Sequence, residues 1–257
     1  MVAVDTLLGW PSLVLLIAIL VVAALAHGTL GFGFPVISTP MVALMTDVQT
    51  AVLVTLFPNL AVNLISTLRG GDWRQSIARY WPVAIYVLLG TVVGTRVLLV
   101  TDPGPIKLLL AAMIVVYLEQ KRFRGLDWSW LHRHPHVSGA GFGLLAGFLS
   151  GTVNVALPPL IIYFMALGLA PVAMTQILNL CFLVGRSTQA ITFGISGQVG
   201  LSTLVETLPL TIISIAVLVI GVRIQSRIRP EVFQGLLRTV LWLMALVLVV
   251  QVLWQHR

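Results

Sequence analysis

Residues 137–169 read VSGAGFGLLAGFLSGTVNVALPPLIIYFMALGL, and the way this stretch meets a bilayer decides the fold. As one helix at about 1.5 Å per residue it would run to about 50 Å, well beyond a hydrocarbon core of about 30 Å. Pro158 and Pro159 also interrupt it. It is therefore read as a hairpin that enters and leaves on one side. Residues 12–45 have the same excess length and their own breakers, Gly31, Gly33, Pro35 and Pro40.

The rest of the chain makes lipid its solvent. Apolar residues form 58% of it and charged residues 9%, against about 45–50% and about 25% in soluble domains. So few charges cannot cover the surface of a water-soluble fold of this size. The apolar residues come in runs such as Ser12 to Ala26, Tyr80 to Val100, Leu201 to Val222 and Leu236 to Leu253, each near the roughly 20 residues that cross a bilayer. The net charge of +7 sits in short links between runs, where cytoplasmic loops retain it, and nucleic-acid binding is not expected. The lone Cys181 lies inside an apolar run, so no disulfide framework is expected. Met1 to Trp10 has an acid, Asp5, and no basic region, so the first apolar run is expected to stay as a membrane segment.

The chain also repeats itself. Gly28-Thr29 followed by Pro35 recurs as Gly151-Thr152 followed by Pro158, at one constant offset. Pro82, Gly94, Arg96 and Pro103 recur as Pro209, Gly221, Arg223 and Pro230, at an offset four residues larger. Repeat one is placed at 12–120, a cytoplasmic link at 121–136 and repeat two at 137–255, within a single membrane domain, 1–257.

Orientation follows from basic loops, which stay on the cytoplasmic side. Arg69, Arg74 and Arg79, then Lys121, Arg122, Arg124 and Arg133, then Arg223, Arg227 and Arg229 are all read as cytoplasmic. The links around Asp102, Pro171 and Gly197 carry little basic charge and are read as facing outward. A uniform eight-span arrangement would put Arg223, Arg227 and Arg229 outside. The expected fold is thus an all-α polytopic membrane protein of two inverted repeats, each a broken helical hairpin plus three transmembrane helices.

Inverted repeats with interrupted helices are typical of secondary transporters, whose substrate lies near the midplane where helix ends meet. The breaks at Gly28 to Pro35 and Gly151 to Pro159 are the candidate centre. Their freed backbone N–H groups, at Gly31 to Phe34 and Val153 to Leu157, suit an anion. Thr29, Thr152, Gly31, Gly33 and Asn154 belong to this set. Gly139, Gly143, Gly147 and Gly151 stand four apart on one helical stripe, and up to Gly147 they are read as packing residues.

Arg186 lies within the apolar run Ala173 to Ile195, with Asn63 at the equivalent position of the first copy. A charge at that depth must face a cavity or a partner. No acid lies in the middle of these runs, which fits a substrate that brings its own negative charge; a carbonyl-capping arginine is the structural alternative. Asn59, Asn63, Asn179 and Gln176 would orient that substrate. His27 reads either as the carrier of a coupling proton or as a satisfied interior histidine. His132, His134 and His136 are assigned to a cytoplasmic loop and not to a metal site. Trp73, Trp81, Trp128, Trp130 and Trp254 lie near span ends as interfacial anchors.

The glycine-rich break followed by proline, given twice, with Ala26-His27-Gly28 ahead of the first and an Asn-bearing helix after each, resembles the TauE/SafE family of sulfite and organosulfonate exporters. The resemblance spans about Leu13 to Leu248. It implies movement of sulfite, sulfoacetate or related organic acids outward through a bacterial inner membrane. The family's denser glycine cluster is here Gly31-Phe32-Gly33-Phe34, and the second copy reads Asn154-Val155-Ala156-Leu157.

The expected function is a multi-pass inner-membrane secondary transporter of a small anion, coupled to a proton or sodium ion, without cofactor, metal or nucleic acid, and with a homo-oligomer left open. No ATP-binding motif supports primary pumping. An intramembrane enzyme is the first alternative, disfavoured because no H-E-x-x-H or G-x-S-x-G motif is present. A non-transporting assembly protein is the second.

Overall fold

Glycine and proline help to partition this apolar chain into helices: Pro35, Pro103, Pro135, Pro158 and Pro171 fix φ where a helix starts and remove a donor that the first turn does not need, whereas Pro58, Pro82, Pro209 and the expected breaker Pro40 lie inside helices. The computed structural model describes residues 10–69, 76–119, 129–225 and 230–255. Arg74, Lys121, Arg122, Arg124, Arg227, Arg229, Trp73, Trp128 and the side chain of His132 lie outside the described residues, as does the stretch before Trp10.

The first half holds α1 (Trp10–Leu30), α2 (Phe34–Met45), α3 (Val48–Leu68), α4 (Ile77–Val100) and α5 (Pro103–Leu118). A short α6 (Ser129–Arg133) leads into α7 (Pro135–Val153), α8 (Leu157–Ala166), α9 (Pro171–Ile195), α10 (Leu201–Ile224) and α11 (Pro230–Gln255). Every regular element among the described residues is helical. Four of them, Ser12–Leu30, Val48–Leu68, Ile77–Val100 and Leu201–Ile224, are long and apolar enough to cross a membrane.

Both expected breaks are present. The chain leaves α1 through Gly31 at φ 83° and Gly33 at φ 113°, and leaves α7 through Asn154 at φ 62°. Gly31 and Asn154 hold the same place in the two copies. A left-handed residue is what ends a helix sharply, and after glycine, asparagine tolerates that conformation best. Asn154 is the sole non-glycine residue with positive φ among those described.

The four repeated glycines meet in two contacts between the halves. A Cβ on Gly28 would lie 2.6 Å from the Leu218 carbonyl oxygen and 2.9 Å from Gly221 Cα. A Cβ on Gly151 would lie 2.5 Å from the Thr91 carbonyl oxygen and 2.8 Å from the Gly94 carbonyl carbon. So α1 packs backbone to backbone on α10, and α7 on α4, as lipid-embedded helices do when small residues let them. Gly143 and Gly147 extend the second contact against Val83 and Val87.

One face of the bundle gathers the end of α3 with Arg69, the start of α4 with Arg79, the start of α7 with Arg133 and the end of α10 with Arg223, all exposed. The start of α9 belongs to this face too. Gln176 accepts a hydrogen bond from Ser76 at 2.5 Å, and Pro171 shares a cavity wall with Arg69. The outward assignment of Pro171 is thereby corrected. A hairpin that returns to its starting side must deliver the next helix there, whatever the charge of the connecting residues.

Candidate functional site

A cavity of about 370 Å³ opens at this basic face, between the end of α1, the end of α3, the start of α9 and the end of α10. Its rim carries Arg69, which is exposed, and its wall contains His27, Gly31, Gln176 and Asn179. Such a volume lies at the lower end of small-ligand sites, which run from about 300 to 1,000 Å³.

Neighbouring bonds fix the polarity of each wall residue. His27, wholly buried in the last turn of α1, accepts the Phe34 N–H at Nδ1 over 3.3 Å. A nitrogen that accepts carries no proton, so the neutral ring holds its hydrogen on Nε2. Asn179 donates through Nδ2 to the Gly31 carbonyl at 2.8 Å and to Thr175 at 2.8 Å. Its Oδ1 is left as an acceptor. Gln176 takes the Ser76 hydroxyl proton on Oε1, which leaves Nε2 as a donor.

His27 Nε2, Gln176 Nε2 and Asn179 Oδ1 are buried and complete no hydrogen bond. The imidazole and the Asn179 amide lie close enough to influence each other, although neither His27 Nε2 nor Asn179 Oδ1 completes a hydrogen bond. Each such group costs about 1–3 kcal/mol if nothing meets it, so three in one cavity wall mark a place for a polar guest.

Arg186 is placed differently. It is 2% exposed, and its guanidinium donates to the Ser150 carbonyl at 2.5 Å, to Ser150 Oγ at 2.7 Å and to Gln189 Oε1. Gln189 in turn donates to the Gly151 carbonyl at 2.8 Å. The arginine is thus spent on the end of α7 and does not line this cavity. The second break beside it is closed by side chains of the first half: Asn154 donates to Thr39 at 2.7 Å and accepts from Asn59 at 3.2 Å. Asn63 stacks onto Asn59 one turn on, at 2.6 Å.

The remaining candidates turn inward on their own helices. Thr29 bonds the Ala26 carbonyl and Thr152 that of Phe148. Several freed backbone donors are also taken, Gly31 N–H by the His27 carbonyl and Val155 N–H by that of Leu149. Gly33 has open space where a Cβ would be. His134 and His136 are exposed, and no cluster of three metal-ligating side chains occurs among the described residues.

The family described as "Sulfite exporter TauE/SafE" matches residues 15–248, a span that contains both breaks and the whole cavity wall. The chain belongs to the TauE/SafE family. No curated protein and no solved structure gives a match. Membership makes the chain a membrane transporter of the exporter type.

Sequence reading passed over two cations. Arg69 counts there as a topological charge only, because nothing in a linear pattern shows that the end of α3 borders a cavity. Lys107 is 5% exposed and reaches Gln251 at 3.4 Å, which donates to the Leu44 carbonyl. Lys107 lies four residues after Pro103, near the start of α5.

Proposed function

We propose that this chain carries a small sulfur-containing anion, sulfite or sulfoacetate in size and charge, outward across the inner membrane as a secondary transporter, and that the cavity beside the first break is its loading site. The carrying observation is the conjunction of three unpartnered buried polar atoms with a mouth on the arginine-rich face. That face is the cytoplasmic one by the distribution of basic residues, so cargo enters from inside. Arg69 at the rim concentrates anions there. Transport then follows from the two halves, in inverted register, rocking about the crossing of their broken hairpins, with the Gly28–Gly221 and Gly94–Gly151 contacts as the lines of approach.

Within this reading Arg186 supports and does not bind: it ties α9 to the end of α7, so that the second break keeps its shape while the first exchanges guests. Asn59, Asn63 and Asn154 serve that closed break, and His27, Gln176 and Asn179 serve the open one. The driving ion is a proton or sodium.

The test is flux. Purified protein in proteoliposomes loaded with labelled sulfite should give saturable efflux, with pH and sodium gradients imposed separately to name the driving ion, and sulfoacetate should compete. Absence of saturable efflux of sulfite, sulfoacetate and small carboxylates under every gradient would end this reading.

A further inference from the structure

The wall of the cavity specifies more than a negative charge. Its buried atoms without a completed hydrogen bond are two donors, His27 Nε2–H and Gln176 Nε2–H, and one acceptor, Asn179 Oδ1, while the more exposed Ser66, Thr175 and Gln225 line it nearer to water. Among the described residues no carboxylate and no lysine line it; His27 and, at the rim, Arg69 are the ionisable groups there, and the described lining residues of α9 and α10 contribute none. A fully deprotonated oxyanion has only acceptors, so it would satisfy the two donors and turn its lone pairs toward Asn179 Oδ1. A guest with a hydroxyl hydrogen satisfies all three.

Charge points the same way. The cost of moving an ion out of water rises with the square of its charge, so a dianion pays about four times the self-energy of a monoanion in a wall that supplies neutral dipoles. Arg69, the full positive charge among the described lining residues, stands exposed at the mouth, where water screens it.

We infer that the cavity binds its oxyanion in the singly protonated, monoanionic form, with the anionic oxygens accepting from His27 Nε2–H and Gln176 Nε2–H and the guest's O–H donating to Asn179 Oδ1. For sulfite this is hydrogen sulfite, and the same chemistry would admit other small monoanions that keep one hydroxyl. This rests on the proposed loading site. It also explains why Asn179 is anchored through Nδ2 on two carbonyls: that anchoring keeps the amide from turning a third donor into the cavity.

The experiment measures binding of sulfite and of methanesulfonate to the full-length protein in nanodiscs by calorimetry, through a pH series that crosses the second ionisation of sulfurous acid. Methanesulfonate keeps one negative charge throughout and has no O–H, so it reports any titration of the protein itself. On the alkaline side the Kd for total sulfite should rise about tenfold per pH unit, while that for methanesulfonate stays level. A sulfite Kd that is flat or falls with pH, or that moves in step with methanesulfonate, overturns the inference and leaves the transport reading standing. Binding of neither anion overturns both. In a second arm Asn179→Asp, which keeps an acceptor but adds charge, should weaken methanesulfonate more than hydrogen sulfite; equal weakening counts against the O–H contact.

Discussion

The two breaks occupy the same register in the two copies and have been put to different uses. At the first, Gly31 and Gly33 supply the turn without side chains, His27 and Asn179 stand beside it with bonds unmade, and a cavity reaches it from the basic face. At the second, Asn154 supplies the turn and its amide is consumed by Thr39 and Asn59, while Arg186 fills the adjoining space. Ser150 stands where the first copy has His27, and Arg186 where it has Asn63. With these two differences in residue, the second break is fastened by side chains and the first keeps a cavity with polar walls. A cation deep in an apolar run is not by itself a ligand site; which break it serves depends on the carbonyls within its reach.

The glycine contacts bring the two halves together and their loss should have the largest effect. Gly28→Leu and Gly151→Leu each drive a side chain into backbone atoms already within 3 Å of the missing Cβ. Neither backbone can yield as a side-chain end would, so both variants should fail to give folded, monodisperse protein on size exclusion. Folded Gly151→Leu would show that α7 and α4 need not touch.

Arg186→Ala should lower thermal stability by about 2–3 kcal/mol, because charged hydrogen bonds of this kind contribute about 1.5–3 kcal/mol each and Ser150 and Gln189 would lose a partner. Residual flux should keep its KM. A raised KM with unchanged melting would instead place the guanidinium at the substrate. Gln176→Leu makes a different pattern: KM for sulfite up by about tenfold, from one lost donor worth about 1.4 kcal/mol, together with a fall in stability of about 1 kcal/mol from the lost Ser76 bond.

Exchanging the turn residues sharpens the contrast at smaller cost. Asn154→Gly keeps a permitted backbone and gives up two side-chain bonds, about 1–2 kcal/mol on a thermal-shift scale. Gly31→Asn should cost more than that, since its Cβ would meet Thr175 Cγ2 at 2.7 Å. Equal costs for the two would mean that the breaks are interchangeable. Smallest of all, Arg69→Gln should slow sulfite loading by two- to threefold at low salt and not at high salt, the mark of steering by an exposed charge.

Much of the frame was legible beforehand because lipid imposes it. Stretches too long for one crossing, such as 137–169, had to break, and glycine and proline mark roughly where, whereas the turn made by Asn154 was not read from the sequence. His27, Gln176 and Asn179 were separately visible as polar residues in apolar runs. Their convergence was not, for they come from helices far apart in the chain. The partner of Arg186 was hidden for a related reason: the carbonyl that accepts its hydrogen bond belongs to Ser150, on another helix, and no pattern along one helix announces it.

The sequence alone determined that this chain lives in lipid and that its overlong apolar stretches must break, because backbone satisfaction in lipid is a local demand. The side of Pro171, the closure of the second break and the polarity of the cavity wall were decided by tertiary structure. Each depends on which donor finds which acceptor across the bundle, and that pairing exists only once the helices are packed.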